Sequence, residues 1–416
     1  MNTAIFENVE SNVRSYCRSF PTVFTTAKGS VMTAEDGKQY IDFFAGAGAL
    51  NYGHNPDYIV DKLIDYLRSG GIIHSMDMYT APKRDFLEYF QENILKPRGL
   101  NYKIQFAGPT GTNAVEAAIK LARKAKGREN IFAFMGAFHG MTMGSLALTT
   151  DRCSREGAGQ GFSNVTHIPA PYMFPELDTI NYMEQLLTDD HSGVEKPAAV
   201  ILETVQADGG IWPFDIEWLK RLRALCDKYD ILLIADDIQV GNGRTGTFFS
   251  FERADIVPDM VTISKSIGGC GMPLAMVLFK PELDIWEPGQ HTGTFRGNQL
   301  SLIAGKAGLE MFVTNNVEAE VKRKETIVQN FLREQVETLD SRIHCRGIGL
   351  IWGVDFSEFG KDMTKPLIAA CFKNGLIAER VGRNNDVLKL MPPLTIGDDL
   401  LVQGLELLKK SIQEIL

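Results

Sequence analysis

Two polar residues of this chain close apolar runs: Asp236 ends "ILLIAD" and Lys265 ends "MVTISK". Val, Ile, Leu and Thr favour the pleated backbone, so both runs read as strands. Both polar residues then stand at strand carboxyl ends, where open α/β sheets bind ligands. One strand–helix–strand step separates them, so both side chains point into one crevice from neighbouring strands. An amine and a carboxylate so placed suit pyridoxal phosphate (PLP). The amine forms a Schiff base with its aldehyde, and the carboxylate keeps the ring nitrogen protonated so that the ring accepts electrons. The lysine must also shed its charge, which desolvation and a cationic ring favour. Each residue has an ordinary alternative: a strand-end lysine snorkels to solvent, and a loop aspartate caps the next helix.

A phosphate cup is the third requirement. The stretch "GPTGTNAVEAA", from Gly108, leads from a strand into a helix and offers free backbone N–H groups at the positive end of the helix dipole. Rossmann proteins share such a turn, but these glycines do not fit G-x-G-x-x-G.

The elements that must position these groups are legible between about residues 103 and 279. Short apolar runs ("KIQFAG", "NIFAFMG", "VTHIP", "AAVILE", "DILLIAD", "MVTISK", "PLAMVLF") alternate with helix-length segments such as "TNAVEAAIKLARKAKG" and "DIEWLKRLRALCDKYD". That alternation predicts an α/β fold with a mostly parallel, doubly covered seven-stranded sheet. The start has strand-like runs around turn signals, "GSVMTAEDGKQYIDFF", and a long helical stretch follows Asn298. Residues 52–297 are read as a large domain, with 1–51 and 298–416 combining into a smaller α+β domain.

Composition narrows the classes. At 416 residues, 44% apolar and 23% charged, the chain is an ordinary globular protein with room for a substantial core. A formal charge of −9 and the lack of any basic run argue against nucleic acid or an anionic membrane as partner. The six cysteines are scattered without a C-x-x-C pair and read as reduced thiols. The opening "MNTAIFENVESNVRSYCRSF" lacks the apolar core of a secretory signal, and no run of 18 apolar residues occurs, so a cytoplasmic protein is expected. Seven histidines without H-x-x-x-H spacing give no reason to expect a metal.

With these residues in place, the chain resembles the class III (ω-amino) aminotransferases of PLP fold type I. The resemblance runs from "YIDFFAGAGALNYGHNP" to "LMPPLTI" and is densest in "PTGTNAVEAAIKLAR", "GAFHGMT", "ILETVQADGG", "LIADDIQVGNGRTG", "TISKSIGGCGMPL" and "HTGTFRGN". It implies that Lys265 carries the cofactor and shuttles the proton, and that Asp236 pairs with the ring nitrogen. Phe138 would stack on the ring, although core packing is its ordinary alternative. Gln239 would lie near the phenolic oxygen, and Gly111 and Thr112 would contact the phosphate. Thr294 would reach the phosphate of a neighbouring subunit, which makes the active unit at least a homodimer. Glu203 matches a glutamate that lines the site, with a structural hydrogen-bonding role as the alternative.

Three departures bear on the substrate. Lys389, in "KLMPPL", stands where the family commonly has arginine, and Asp208, in "ETVQADGG", where many members have a gating glutamate. The resemblance implies that Lys389 receives the α-carboxylate of glutamate or 2-oxoglutarate, with Asp208 as its switch; an exposed lysine near the C-terminal lobe is the alternative. Met141 replaces a frequent arginine, and Arg296 replaces a usual glycine. Arg296 then supplies a cation at the site mouth or forms a surface salt bridge. "ETVQADGGI" and "HTGTFRGN" look most like the diaminobutyrate-forming branch. That likeness implies amino transfer from L-glutamate to L-aspartate 4-semialdehyde, as in ectoine biosynthesis. The small-residue run Phe44–Leu50 would leave room for the substrate's amino-acid end. Another ω-aminotransferase, acting on ornithine, acetylornithine or 4-aminobutyrate, is the alternative.

Overall fold

The computed structural model describes residues 3–159, 162–360 and 362–416. The seven apolar runs form one sheet: β1 (Lys103–Phe106), β2 (Ile131–Phe134), β3 (Val165–Ile168), β4 (Ala199–Leu202), β5 (Leu232–Asp236), β6 (Met260–Ile263) and β7 (Met276–Phe279). Their spatial order is β1-β7-β6-β5-β4-β2-β3. Every pair from β6 to β3 is parallel, whereas β7 runs antiparallel to both of its neighbours. β2, β4, β5, β6 and β7 are buried at every residue, which is why they read as unbroken apolar runs rather than alternating ones. The expected mostly parallel α/β sheet is what forms.

Helix α1 (Gly111–Lys126) follows β1 and buries Ala114, Val115, Ala118, Ile119 and Ala122. It ends on basic residues and on Gly127 in the left-handed region, the termination its sequence announces. Helix α2 (Ile216–Lys228) starts at Asp215, whose carboxylate accepts the Trp218 N–H. The helical stretch after Asn298 is two helices, α3 (Gln299–Thr314) and α4 (Val317–Phe331), rather than one. The break falls at Asn316, which adopts φ +46°, a backbone state that asparagine tolerates better than most residues.

Helix α3 packs on the helices Asp57–Arg68 and Ala81–Phe90 and on the turn that follows β6. Gly269 in that turn has φ +77°, and a Cβ there would lie 2.2 Å from the carbonyl oxygen of Ala304 in α3. Gly269→Ala is therefore expected to destabilise the protein by roughly 2–4 kcal/mol. A lowered urea midpoint with an unchanged slope would report it.

Two smaller sheets lie outside the large one. The hairpin Val31–Ala34/Gln39–Asp42 is extended in parallel by Leu376–Ile377. A second, antiparallel sheet holds His344–Ile348, Ile351–Asp355, Val387–Leu390 and Glu379–Val381. Among the described residues no helix is long and apolar enough to cross a membrane. All six cysteines are unpaired.

Candidate active site

The carboxyl ends of β5 and β6 lie side by side, with Asp236 opposite Thr262 in the parallel ladder. Asp236 is buried. Its Oδ1 accepts from Thr262 Oγ1 (3.0 Å) and from the Ile238 N–H (3.2 Å), and His139 Nδ1 lies 2.6 Å from Oδ2. Burial opposes charge on His139, but the hydrogen bond and charge of Asp236 outweigh it and hold the imidazole above its ordinary pKa. The other ring nitrogen, Nε2, has no partner among the described residues. The next residue, Asp237, accepts instead from the Ser250 N–H (2.9 Å) and hydroxyl. One of the two adjacent aspartates therefore serves the crevice and the other the scaffold.

Lys265 follows β6 with φ +54°, a conformation that costs an L residue roughly 1–2 kcal/mol. Its amine makes no hydrogen bond or ion pair among the described residues. Burial pushes its pKa down, outweighing the charge of Asp208; Lys389 adds to the lowering, while Glu379 and Asp236 oppose it. Lys265 and Asp236 both line a cavity of about 170 Å³. An amine with a lowered pKa and no partner is a nucleophile and a base at hand.

One end of the cavity is the start of α1. The backbone N–H groups of Gly111 and Thr112 have no acceptor among the described residues, and the helix has no side-chain cap. Such an end suits an anion. Thr112 Oγ1 bonds to Thr142 Oγ1 (2.6 Å) and to Ser145 Oγ. Gly140, at φ +126°, lets this loop close, since a Cβ would lie 2.5 Å from Thr112 Oγ1. Phe138 and Ile238 give the cavity apolar walls. The left-handed turn at residues 45–48, inside the small-residue run, abuts Gln239.

Glu203 takes up both of its expected alternatives. It lines the cavity, and it accepts the N–H groups of Phe138 (3.0 Å) and Ala207 (3.1 Å). Burial raises its pKa to about 7, with the charge of His139 opposing and that of Asp236 adding. The folded protein thus keeps a proton that the unfolded chain loses above about 4.5, and stability falls as pH rises from about 4.5 to 7. Glu203→Gln is expected to flatten that dependence by on the order of 3 kcal/mol across the window. Urea unfolding of both proteins at the two ends of this range measures it.

Asp208 and Gln239 also line the cavity, and each places an oxygen 3.0 Å from Lys389 Nζ. Lys389 is 1% exposed, so it is not a solvated surface lysine. Glu379, unforeseen in the sequence, brings Oε2 to 2.7 Å of the same amine. Burial works against charge on Lys389, but Asp208 and Glu379 outweigh it and hold its pKa well above the ordinary value.

Three anticipated residues, Lys389, Thr294 and Arg296, are not among those that line this cavity. Thr294 is exposed, and its carbonyl accepts from His74 Nε2 at 2.9 Å. Arg296 pairs with Asp77 and donates to the His291 carbonyl (3.1 Å), which is the salt-bridge alternative rather than a cation at the mouth of its own chain's cavity. Met141 is exposed. The metal-type cluster found among the described residues, Asp189, Asp190 and His191, is exposed and shares no residue with the cavity. His139, Ile238 and Glu379 were not anticipated. The only available signal was the position of the first two beside Phe138 and Gln239.

The donor set fits a flat heteroaromatic group with an anionic tail, a basic ring nitrogen and a carbonyl within reach of Lys265. Solved structures share the fold: an aminotransferase from Bacillus anthracis (TM-score 0.88, 23% identity, 99% of this chain and 97% of that one) and the ornithine aminotransferase from Toxoplasma gondii (TM-score 0.86, 22% identity, 99% and 93%). At such identity they speak for the fold alone. Diaminobutyrate–2-oxoglutarate transaminases are much nearer in sequence. Those of Halalkalibacterium halodurans, Nocardia farcinica and Streptomyces coelicolor are each 51% identical over 99% of this chain and 96%, 94% and 98% of their own lengths. The family model for class III aminotransferases matches residues 14–412. A match that leaves only short ends uncovered makes the assignment: the chain belongs to the class III aminotransferases and is a transaminase.

Proposed function

We propose that this transaminase uses PLP to move the amino group of L-glutamate onto the aldehyde of L-aspartate 4-semialdehyde. The products are L-2,4-diaminobutanoate and 2-oxoglutarate, and the step belongs to ectoine biosynthesis. The single observation that carries the reading is the unpartnered Lys265 amine sharing a cavity with the Asp236–His139 pair. Support for the substrates comes from the names of relatives at 51% identity, and support for the cofactor from the class III family match over residues 14–412.

PLP, when bound, supplies an aldehyde and an electron-accepting ring. Asp236 would pair with the ring nitrogen, Phe138 and Ile238 would cover the ring, and Gln239 would serve the phenolic oxygen. The Gly111 and Thr112 N–H groups would hold the phosphate. Lys265 Nζ takes and returns the proton of the reacting carbon. The exposure of Thr294 suits a residue serving the phosphate of a second copy, hence a homodimer. The unpaired cysteines suit a cytoplasmic enzyme.

Borohydride treatment of the purified enzyme should fix the cofactor on the peptide carrying Lys265. Diaminobutanoate with 2-oxoglutarate should then yield glutamate in untreated enzyme. Label on another residue, or turnover confined to ornithine, acetylornithine or 4-aminobutyrate, would overturn the reading.

Lys389 is the proposed seat of the glutamate carboxylate, reached when Asp208 swings aside. Lys389→Ala is expected to slow the glutamate half-reaction by about 30-fold, the loss typical of a buried charge partner. An unchanged single-turnover rate discards this role.

A further inference from the structure

Lys389 faces more negative charge than it neutralises. Asp208 Oδ1 lies 3.0 Å and Glu379 Oε2 2.7 Å from its Nζ, so the cluster holds two carboxylates for one ammonium. Glu379 is built into place, directly opposite Lys389 in the antiparallel ladder of Glu379–Val381 and Val387–Leu390. Its Oε1 accepts from the Tyr16 hydroxyl at 2.9 Å. Its Oε2 is buried and accepts no directed hydrogen bond, close as the lysine is. The cluster adjoins the reaction centre: Asp208 lines the cavity, and Lys265 feels the charges of Asp208, Lys389 and Glu379. Two carboxylates around one buried ammonium, themselves only partly exposed, are unfavourable alone and are completed by a ligand that brings a cation.

We propose that Glu379 and Asp208 together receive the α-ammonium of the 2,4-diamino acid, which makes Glu379 a specificity-determining residue. This rests on the diaminobutyrate reading above. The plain ω-amino acid 4-aminobutanoate presents the same reacting amine on the same carbon chain and lacks only that α-ammonium. It leaves the cluster uncompensated and is disfavoured. 2-Oxoglutarate also lacks the ammonium, so Glu379 gives it no attraction and weakens the pull of Lys389 on its carboxylate.

The test is steady-state kinetics of the holoenzyme with 2-oxoglutarate as acceptor and either diaminobutanoate or 4-aminobutanoate as donor. If 4-aminobutanoate is not turned over, its inhibition constant against diaminobutanoate replaces its kcat/KM. Glu379→Gln should raise KM for diaminobutanoate roughly 30-fold while changing kcat less than about threefold. 4-Aminobutanoate should be handled as well as before or better. Glu379→Asp, which keeps the charge, should restore most of the discrimination. A parallel loss with both donors, or an unchanged ratio between them, overturns the proposal. If Glu379→Gln does not fold, Asp208→Asn must show the same selective rise in KM, and its failure to do so has the same force. Wild-type enzyme inert toward diaminobutanoate would sink the functional reading first, before any variant is compared.

Discussion

Lys265→Ala is expected to lower transaminase turnover by about 10⁴-fold or more while leaving the fold intact. The activity is lost because this amine is the group in the cavity able both to bind a carbonyl covalently and to carry a proton. The fold survives because the amine contributes no hydrogen bond or ion pair that alanine would remove. In cofactor-free protein the variant should be the more stable one. A lysine whose folded pKa lies below its ordinary 10.5 binds fewer protons folded than unfolded. Its stability penalty is complete below the folded pKa and fades as pH rises toward 10.5. Thermal unfolding of both proteins stripped of PLP should therefore separate them more at pH 6 than at pH 10. A variant that unfolds earlier than wild type at both values would show that Lys265 supports the structure rather than the chemistry.

Asp236→Asn is the second large effect, an expected fall in kcat of about 10³-fold with KM for either substrate little changed. In the proposed reaction the carboxylate acts on the electronics and not on substrate binding, so the loss belongs in kcat. The variant has a second readout in His139. Its pKa stands above the ordinary value because Asp236 outweighs its burial. An amide removes the opposing charge, burial then dominates, and the imidazole should titrate below its ordinary range. Proton NMR of the His139 ring in wild type and variant reads this directly. An unmoved titration would mean that another group holds the ring charged.

Much of the site was legible because its parts lie at element ends. The apolar runs closing on Asp236 and Lys265 became β5 with Asp236 as its last residue and β6 with Lys265 just past its end. The glycine-rich stretch became the uncapped start of α1, and Gly127 ended that helix. Lys389 shows the limit. Its neighbour Asp208 was anticipated, but the second carboxylate was not, and the lysine proved buried rather than a candidate for solvent. Arg296 pairs with Asp77, the salt bridge that the sequence left open beside a place at the site mouth.

The sequence by itself determined the seven strands of the large sheet, the helices between them, and the polar residues at the ends of β5 and β6. Burial on both sheet faces and helix termination both leave a periodic or positional imprint within a few neighbouring residues. The tertiary structure alone decided that His139 lies beneath Asp236, that Tyr16 reaches Glu379, and that Glu379 stands across a ladder from Lys389. These contacts join residues from distant segments or across a register, and charge compensation in a buried cluster follows from distance in space, which no local pattern records.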